Sequence, residues 1–318
     1  MYEEQSIDTT VLVENCCISW TGGKDCNLAL LEAWRDPSLH VTDLVVFIPE
    51  SKIDCFEAHP IRIMRQQSES INLPLRIMVL PSSSSYRDGY CDAFKTLHND
   101  YKISVICTGD YDLVGNSHRN WMDECAEIAD CGIRVYLPLW KADRDKTLSR
   151  LLDESFVAIF SCVKSPWLNE SWCGKYLDYD AYEQMLTISK SKLYDDDDDD
   201  GTGTEIQNLT PNDPRRKPFD LCGENGEYHT MIVDGPFYKY KMKIIAVRTG
   251  HNSKLDNNNK NNNSNEEYDT TTTKNIIKPK SVVTEKAKDG EDRWWTYDGQ
   301  IMWTLGDDFD IIKIRKEI

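Results

Sequence analysis

Residues 19–26 read Ser-Trp-Thr-Gly-Gly-Lys-Asp-Cys, two glycines ahead of a lysine and an aspartate. They follow a short apolar run at 11–18 and precede the helix-like stretch Asn-Leu-Ala-Leu-Leu-Glu-Ala-Trp. Such a turn can offer unhindered backbone N–H groups at a helix N-terminus, which suits an anion. A plain Gly-Gly turn accounts for the same letters, and local pattern alone leaves both readings open. A G-x-x-x-x-G-K-[ST] phosphate loop is excluded, because Ile18 and Asp25 stand where it needs Gly and Ser or Thr. A second stretch, Glu224-Asn225-Gly226-Glu227, sets two carboxylates around a glycine turn. They could hold a cation or take a proton from an amine, or they could be solvated acids of a surface turn. A third stretch runs from Gly109-Asp110 to His118-Arg119, where the His-Arg pair also reads as an ordinary surface pair.

These residues need elements to hold them. Continuous apolar runs at 43–48, 75–80, 103–109 and 156–163 read as buried parallel strands. Between them the segments 59–71, 86–100, 117–130 and 144–155 carry apolar residues at helical spacing, with Ser117 and Asp143 as N-caps. The alternation predicts an α/β fold, a doubly wound, Rossmann-like parallel sheet over 11–165. In that architecture ligands sit beyond the C-terminal strand ends, which puts Gly22–Lys24 and Gly109–Asp110 where a site belongs. A smaller α+β unit is expected over 166–318, with a helix at 179–190 and a hairpin turning at Asp298-Gly299. Polar low-complexity tracts near 195–212 and 251–275 interrupt it, too polar to bury a core. His59 reads as the cap of a helix started by Pro60. Trp140, Trp167 and Trp172 read as core residues, or as cation–π walls if they line a cleft.

Bulk properties narrow the function. The net charge is −17, six of it from the Asp195–Asp200 run, which disfavours a protein that wraps a nucleic-acid backbone. No apolar stretch reaches the ~18–20 residues of a membrane span. The first ten residues are acidic and lack the regions of a signal peptide. Eleven scattered cysteines with no C-x-x-C point to reduced thiols and against a zinc site. The expectation is a cytoplasmic protein.

Three motifs together carry a resemblance. Thr21–Cys26 resembles the S-G-G-K-D-S pyrophosphate loop of the PP-loop, or N-type, ATP pyrophosphatases, with Thr21 and Cys26 in place of its serines. Residues 222–238 resemble the signature of the diphthine–ammonia ligases, an E-G-G-E-type turn followed by an aromatic, T, V and D-G-P-F. Here those positions are Glu224–Tyr228, Thr230, Val233 and Asp234–Phe237. Residues 108–124 are similar to the family's G-D-I…D-H-R-x-W-x-E segment, with Ser117 where it has an acid. Pro138–Trp140 and the segment 56–60 match further family pieces. The likeness spans about residues 13–247 apart from the aspartate-rich insert. Asn225, His229 and Cys26 depart from the pattern, as in a divergent paralogue branch.

The resemblance implies an ATP-dependent amide ligase. It would adenylate the carboxylate of diphthine on elongation factor 2, release pyrophosphate and AMP, and use ammonia to form diphthamide. It implies that Ser19, Thr21, Gly22, Gly23, Lys24, Asp25 and Cys26 surround ATP and its pyrophosphate, with Asp25 orienting Mg²⁺. It implies substrate contacts from Gly109, Asp110, His118, Arg119, Glu224, Gly226, Glu227, His229, Thr230 and Asp234. Lys24, Glu224 and Glu227 would carry the chemistry, Lys24 on the pyrophosphate and the two acids on a cationic side chain or on ammonium. A PP-loop enzyme acting on another carboxylate or on RNA, and a nucleotide-binding regulator without catalysis, are the alternatives.

Overall fold

The computed structural model describes residues 12–52, 59–113, 118–164, 167–190, 219–246, 280–283, 301–304 and 309–316. The tracts near 195–212 and 251–275, Ser117, Phe56–Ala58 and the Asp298-Gly299 turn lie outside them.

The first half alternates strand and helix, with one strand, Arg134–Tyr136, that no apolar run announced. The elements are β1 (Glu14–Ser19), α1 (Lys24–Arg35), β2 (Leu39–Pro49), α2 (Ile61–Ile71), β3 (Leu75–Leu80), α3 (Tyr86–Tyr101), β4 (Val105–Cys107), α4 (Trp121–Ala129), β5 (Arg134–Tyr136) and α5 (Arg144–Asp153). The five strands form one parallel sheet in the order β3-β2-β1-β4-β5. Successive residues of a strand face opposite sides. Cys16 therefore joins the core around Leu28 and Ile63 on one face, and Cys17 the core around Phe94 and Cys125 on the other. Strand order reverses between β1 and β4, so the loops leaving these two strands meet at a crevice.

Local chemistry sets the helix starts. Ser85 caps α3 by accepting from the Asp88 N–H at 3.1 Å, and Asp143 caps α5 by accepting from the Lys146 N–H at 2.9 Å. The helix expected from residue 117 begins at Trp121 instead. Its cap is Asn120, whose side chain accepts from the Asp123 N–H at 3.1 Å. His59 does not cap α2: Pro60 holds the N-cap position with no side-chain bond, and His59 is buried.

The second half comprises β6 (Val157–Lys164), β7 (Tyr176–Leu177), α6 (Tyr179–Lys190), β8 (Tyr228–Asp234), β9 (Tyr240–Ala246), β10 (Lys280–Val283), β11 (Ile301–Thr304) and β12 (Phe309–Arg315). The run at 156–163 is thus a strand, but not a parallel one. β6 is the centre of a separate antiparallel sheet, paired with β7, β8 and β11. A strand with neighbours on both sides and both faces covered reads as an unbroken apolar run whatever its direction, so the sequence pattern could not tell the two apart. β9 and β12 form a two-stranded sheet that reaches α2, where the Tyr240 N–H donates to the Ser70 hydroxyl at 3.1 Å.

β8 joins the two halves. Its Ile232 N–H donates to the Gly22 carbonyl at 2.9 Å, and its Thr230 hydroxyl accepts from the Lys24 N–H at 3.0 Å. Beyond the strand, the Tyr238 hydroxyl donates to the Asn27 amide oxygen at 2.8 Å. The turn between β1 and α1 is therefore clamped between the parallel sheet and the antiparallel one.

Candidate active site

The Gly22-Gly23 turn has a packing reason as well as a chemical one. Gly22 has φ +78°, the left-handed region that favours glycine, and a side chain there would come within 2.4 Å of the Gln67 amide oxygen. Gly23 lies 3.0 Å, measured from an added Cβ, from the Thr230 carbonyl. The glycines thus admit Gln67 and β8 to the turn. The Lys24 N–H already serves Thr230, so not every amide of the turn faces an incoming anion.

Gln67 is a residue the sequence reading missed. Its amide oxygen accepts from the Trp20 indole N–H at 3.0 Å, and its amide nitrogen donates to the Gly22 and Ile232 carbonyls at 2.8 Å each. The signal was available: Ile63, Gln67 and Ile71 recur at helical spacing, so a glutamine occupies the buried stripe of α2. Gln67→Leu leaves the Trp20 indole N–H without its partner and removes one bond each from the Gly22 and Ile232 carbonyls, of which Gly22 keeps the Ile232 N–H. At about 1–3 kcal/mol for a buried group left unsatisfied, we expect a loss of about 1–3 kcal/mol in urea unfolding. A variant as stable as the wild type would show that Gln67 is not the post it resembles.

Lys24 is 3% exposed and its ammonium binds both carboxylate oxygens of Asp25, at 2.8 and 2.7 Å. Burial pulls its pKa down, but Asp25, Cys222 and Glu224 outweigh that and leave it raised, so the lysine is a cation at any working pH. The Tyr228 ring lies 5.5 Å away from the ammonium. Cys26 donates its thiol to the Gly23 carbonyl at 3.2 Å, and burial pushes its pKa up to about 11. Cys26 is therefore a neutral thiol closing the turn, and the departure from serine leaves the loop's shape intact. Ser19 ends β1 opposite Val45, and Thr21 reaches the Cys26 sulfur at 3.9 Å.

The loop after β4 arrives from the other side of the crevice. Gly109 packs so tightly on α1 that a Cβ would sit 2.5 Å from the Asp25 carbonyl carbon, backbone against backbone. Asp110 accepts from Thr108 at 3.0 Å and from the Asn120 amide at 2.6 Å. Burial raises its pKa, those two bonds oppose the rise, and Asp25 adds to it.

The turn at 220–227 divides its two acids. Glu227 is buried, and its oxygens accept the Asp220 N–H at 2.9 Å and the Asn225 N–H at 3.0 Å. Its carboxylate holds the turn. Glu224 projects from that turn and is exposed to solvent, near Asp25, Asp220, Lys24 and Arg144. Partial desolvation and then repulsion from Asp25 raise its pKa above the usual carboxylate range, although solvent screens part of that effect. Gly226 closes the turn by donating to the Gly223 carbonyl at 2.9 Å.

Other expected site residues are elsewhere or otherwise engaged. Arg119 is held by Asp123 at 2.9 Å and by Glu127 along α4, and exposed His118 lines a recess of about 390 Å³ with Trp140 and Lys141, not the Lys24 crevice. Asp234 sits at the far end of β8, accepts from the Gly235 N–H at 2.8 Å and pairs with Lys316. His229 stacks edge-on against His59, ring centroids 5.0 Å apart, behind the loop. Trp172 packs on Phe160 and Trp167 on Phe219, both core contacts.

A family model described as the diphthamide synthase N-terminal domain matches residues 15–134, and one described as its C-terminal domain matches residues 204–255. No curated protein sequence matches the chain. Among solved structures, a predicted subunit of tRNA methyltransferase from Methanocaldococcus jannaschii is similar at 15% identity, TM-score 0.32, over 53% of this chain and 84% of that one.

Proposed function

The chain belongs to the diphthamide synthase family, and from that premise we propose that it is an ATP-dependent amide ligase acting on diphthine of elongation factor 2. In this reading the diphthine carboxylate attacks the α-phosphorus of ATP, pyrophosphate leaves, and ammonia displaces AMP to give the amide. The observation that supports it most is one juxtaposition. A buried, permanently charged lysine, the Gly109-Asp110 loop and the solvent-exposed Glu224 converge where the parallel sheet changes direction.

The chain's own residues have definable tasks here. The Lys24 ammonium, preorganised in a dry site, stabilises charge building on the departing pyrophosphate. ATP must draw that ammonium away from one or both Asp25 oxygens. Asp25, beside the Lys24 ammonium, offers a hard carboxylate that would hold a divalent cation alongside phosphate oxygens. Mg²⁺ held there would withdraw negative charge from the leaving pyrophosphate. Glu224, whose raised pKa makes its carboxylate a stronger base, takes the proton that ammonium must lose before it can attack. Glu227 keeps the turn in place.

That division predicts a pH profile. The base form of Glu224 accumulates as pH rises, so kcat/KM should climb between pH 6 and 8.5. Glu224→Gln should lower the rate and flatten the climb. An unchanged profile in that variant would remove Glu224 from the proton step. The reaction itself is tested by ATP–pyrophosphate exchange with diphthine-bearing elongation factor 2, and by the mass of that histidine after deletion in the host. Unamidated diphthine is expected; normal diphthamide would end the assignment.

A further inference from the structure

Tyr111 follows Gly109 and Asp110 on the loop after β4, and no sequence expectation used it. It is 1% exposed, and its hydroxyl has no hydrogen-bond partner among the described residues. Its position is fixed: the Lys141 N–H donates to its carbonyl at 2.8 Å, and the Arg144 guanidinium lies 4.6 Å from its ring centre. The Lys24 ammonium is 6.0 Å from the same ring. Buried hydroxyls are nearly always satisfied, because leaving one unmade is costly while a phenylalanine would fill the same volume at no such cost. Two acids, Asp25 and Glu224, lie near enough to act on this phenol, yet neither accepts its proton. The neighbouring Cys222 sulfur also acts on the phenol, but it is a weak acceptor and its own proton goes to the Arg144 carbonyl at 3.4 Å. Among the described residues the hydroxyl is thus a donor without a strong acceptor, on a ring flanked by two cations.

We infer that Tyr111 is a ligand-contacting residue whose hydroxyl donates to an anionic oxygen entering beside Lys24, either a phosphate oxygen of the nucleotide or the carboxylate of the acyl substrate. The inference rests on the ligase reading and extends it to a further residue. A hydrogen bond to an anionic acceptor is of the stronger kind, and its loss is expected to cost about tenfold in affinity.

The test is Tyr111→Phe in the full-length protein. Its melting temperature should equal or exceed the wild-type value, since an unsatisfied hydroxyl is removed. Calorimetric titration with MgATP and the KM for diphthine-bearing elongation factor 2 then separate the two sources. About tenfold weaker ATP binding with an unchanged acceptor KM assigns the phosphate; the reverse assigns the carboxylate. Wild-type values for both, or a lower melting temperature, would overturn the inference. Failure of the wild-type protein to bind MgATP would instead sink the ligase reading on which it stands.

Discussion

Replacing Lys24 with methionine should lower AMP-forming turnover by about 10²–10³-fold, the usual cost of removing one preorganised group that faces developing charge. Methionine preserves length and packs in the same buried slot, so the loss is electrostatic. The loop should survive the change, because its shape depends on Gln67, Thr230 and Ile232 and not on the ammonium. Asp25 loses its partner but is partly exposed and can be hydrated. Pyrophosphate release under saturating ATP is the measurement, with the melting temperature as the control for folding. Turnover within threefold of wild type would mean that Lys24 is a structural cation.

Acid should destabilise the protein above the pH range of ordinary carboxylates, because of the paired histidines behind the loop. Burial lowers the His59 pKa from 6.5 to about 4, although a hydrogen bond with the Thr21 main chain opposes the shift. Burial also holds the His229 pKa well below 6.5, with the charges of His59, Lys24 and Lys164 adding to it. The sign follows from the depressed folded values. The unfolded chain takes up protons below about pH 6.5 and the folded one does not until about pH 4, so stability is present above pH 6.5 and drains away beneath it. For His59 alone the loss is about 2 kcal/mol by pH 5 and about 3 kcal/mol by pH 4. That is a large share of a typical 5–15 kcal/mol. Urea unfolding at pH 7 and pH 5 reads it directly, and His59→Gln should shrink the difference. Equal stability at the two pH values would show that these histidines are not held neutral.

Much of the parallel sheet was legible because its central strands are largely buried and its helices amphipathic, so the two periodicities alternate. The antiparallel placement of β6 was not, since an apolar run carries no record of its partners' directions. The loop was found from its glycines and lysine, and Glu224 from its spacing to Glu227. What the letters could not rank was the exposure of one acid and the capture of the other. Glu227 became a turn fastener because two backbone N–H groups point at it, a fact of three-dimensional convergence. Gln67 and Tyr111 escaped notice for the same reason: their meaning lies in which polar atoms they meet, or fail to meet, once the chain has closed. His118 and Arg119 matched a motif, and the structure sets them on the recess beside Trp140 and Lys141.

The clamp of β8 on the loop also orders events in time. The Lys24–Thr230 bond spans 206 residues of sequence and the Tyr238–Asn27 bond spans 211. At about 5–20 residues per second, translation leaves the Gly-Gly turn waiting for roughly 10–40 s after it emerges, without the strand that shapes it. The parallel sheet can assemble in that interval, but the clamped turn cannot. A nascent chain released early would therefore hold the sheet without its finished turn, which closes only once residues 228–238 have been made.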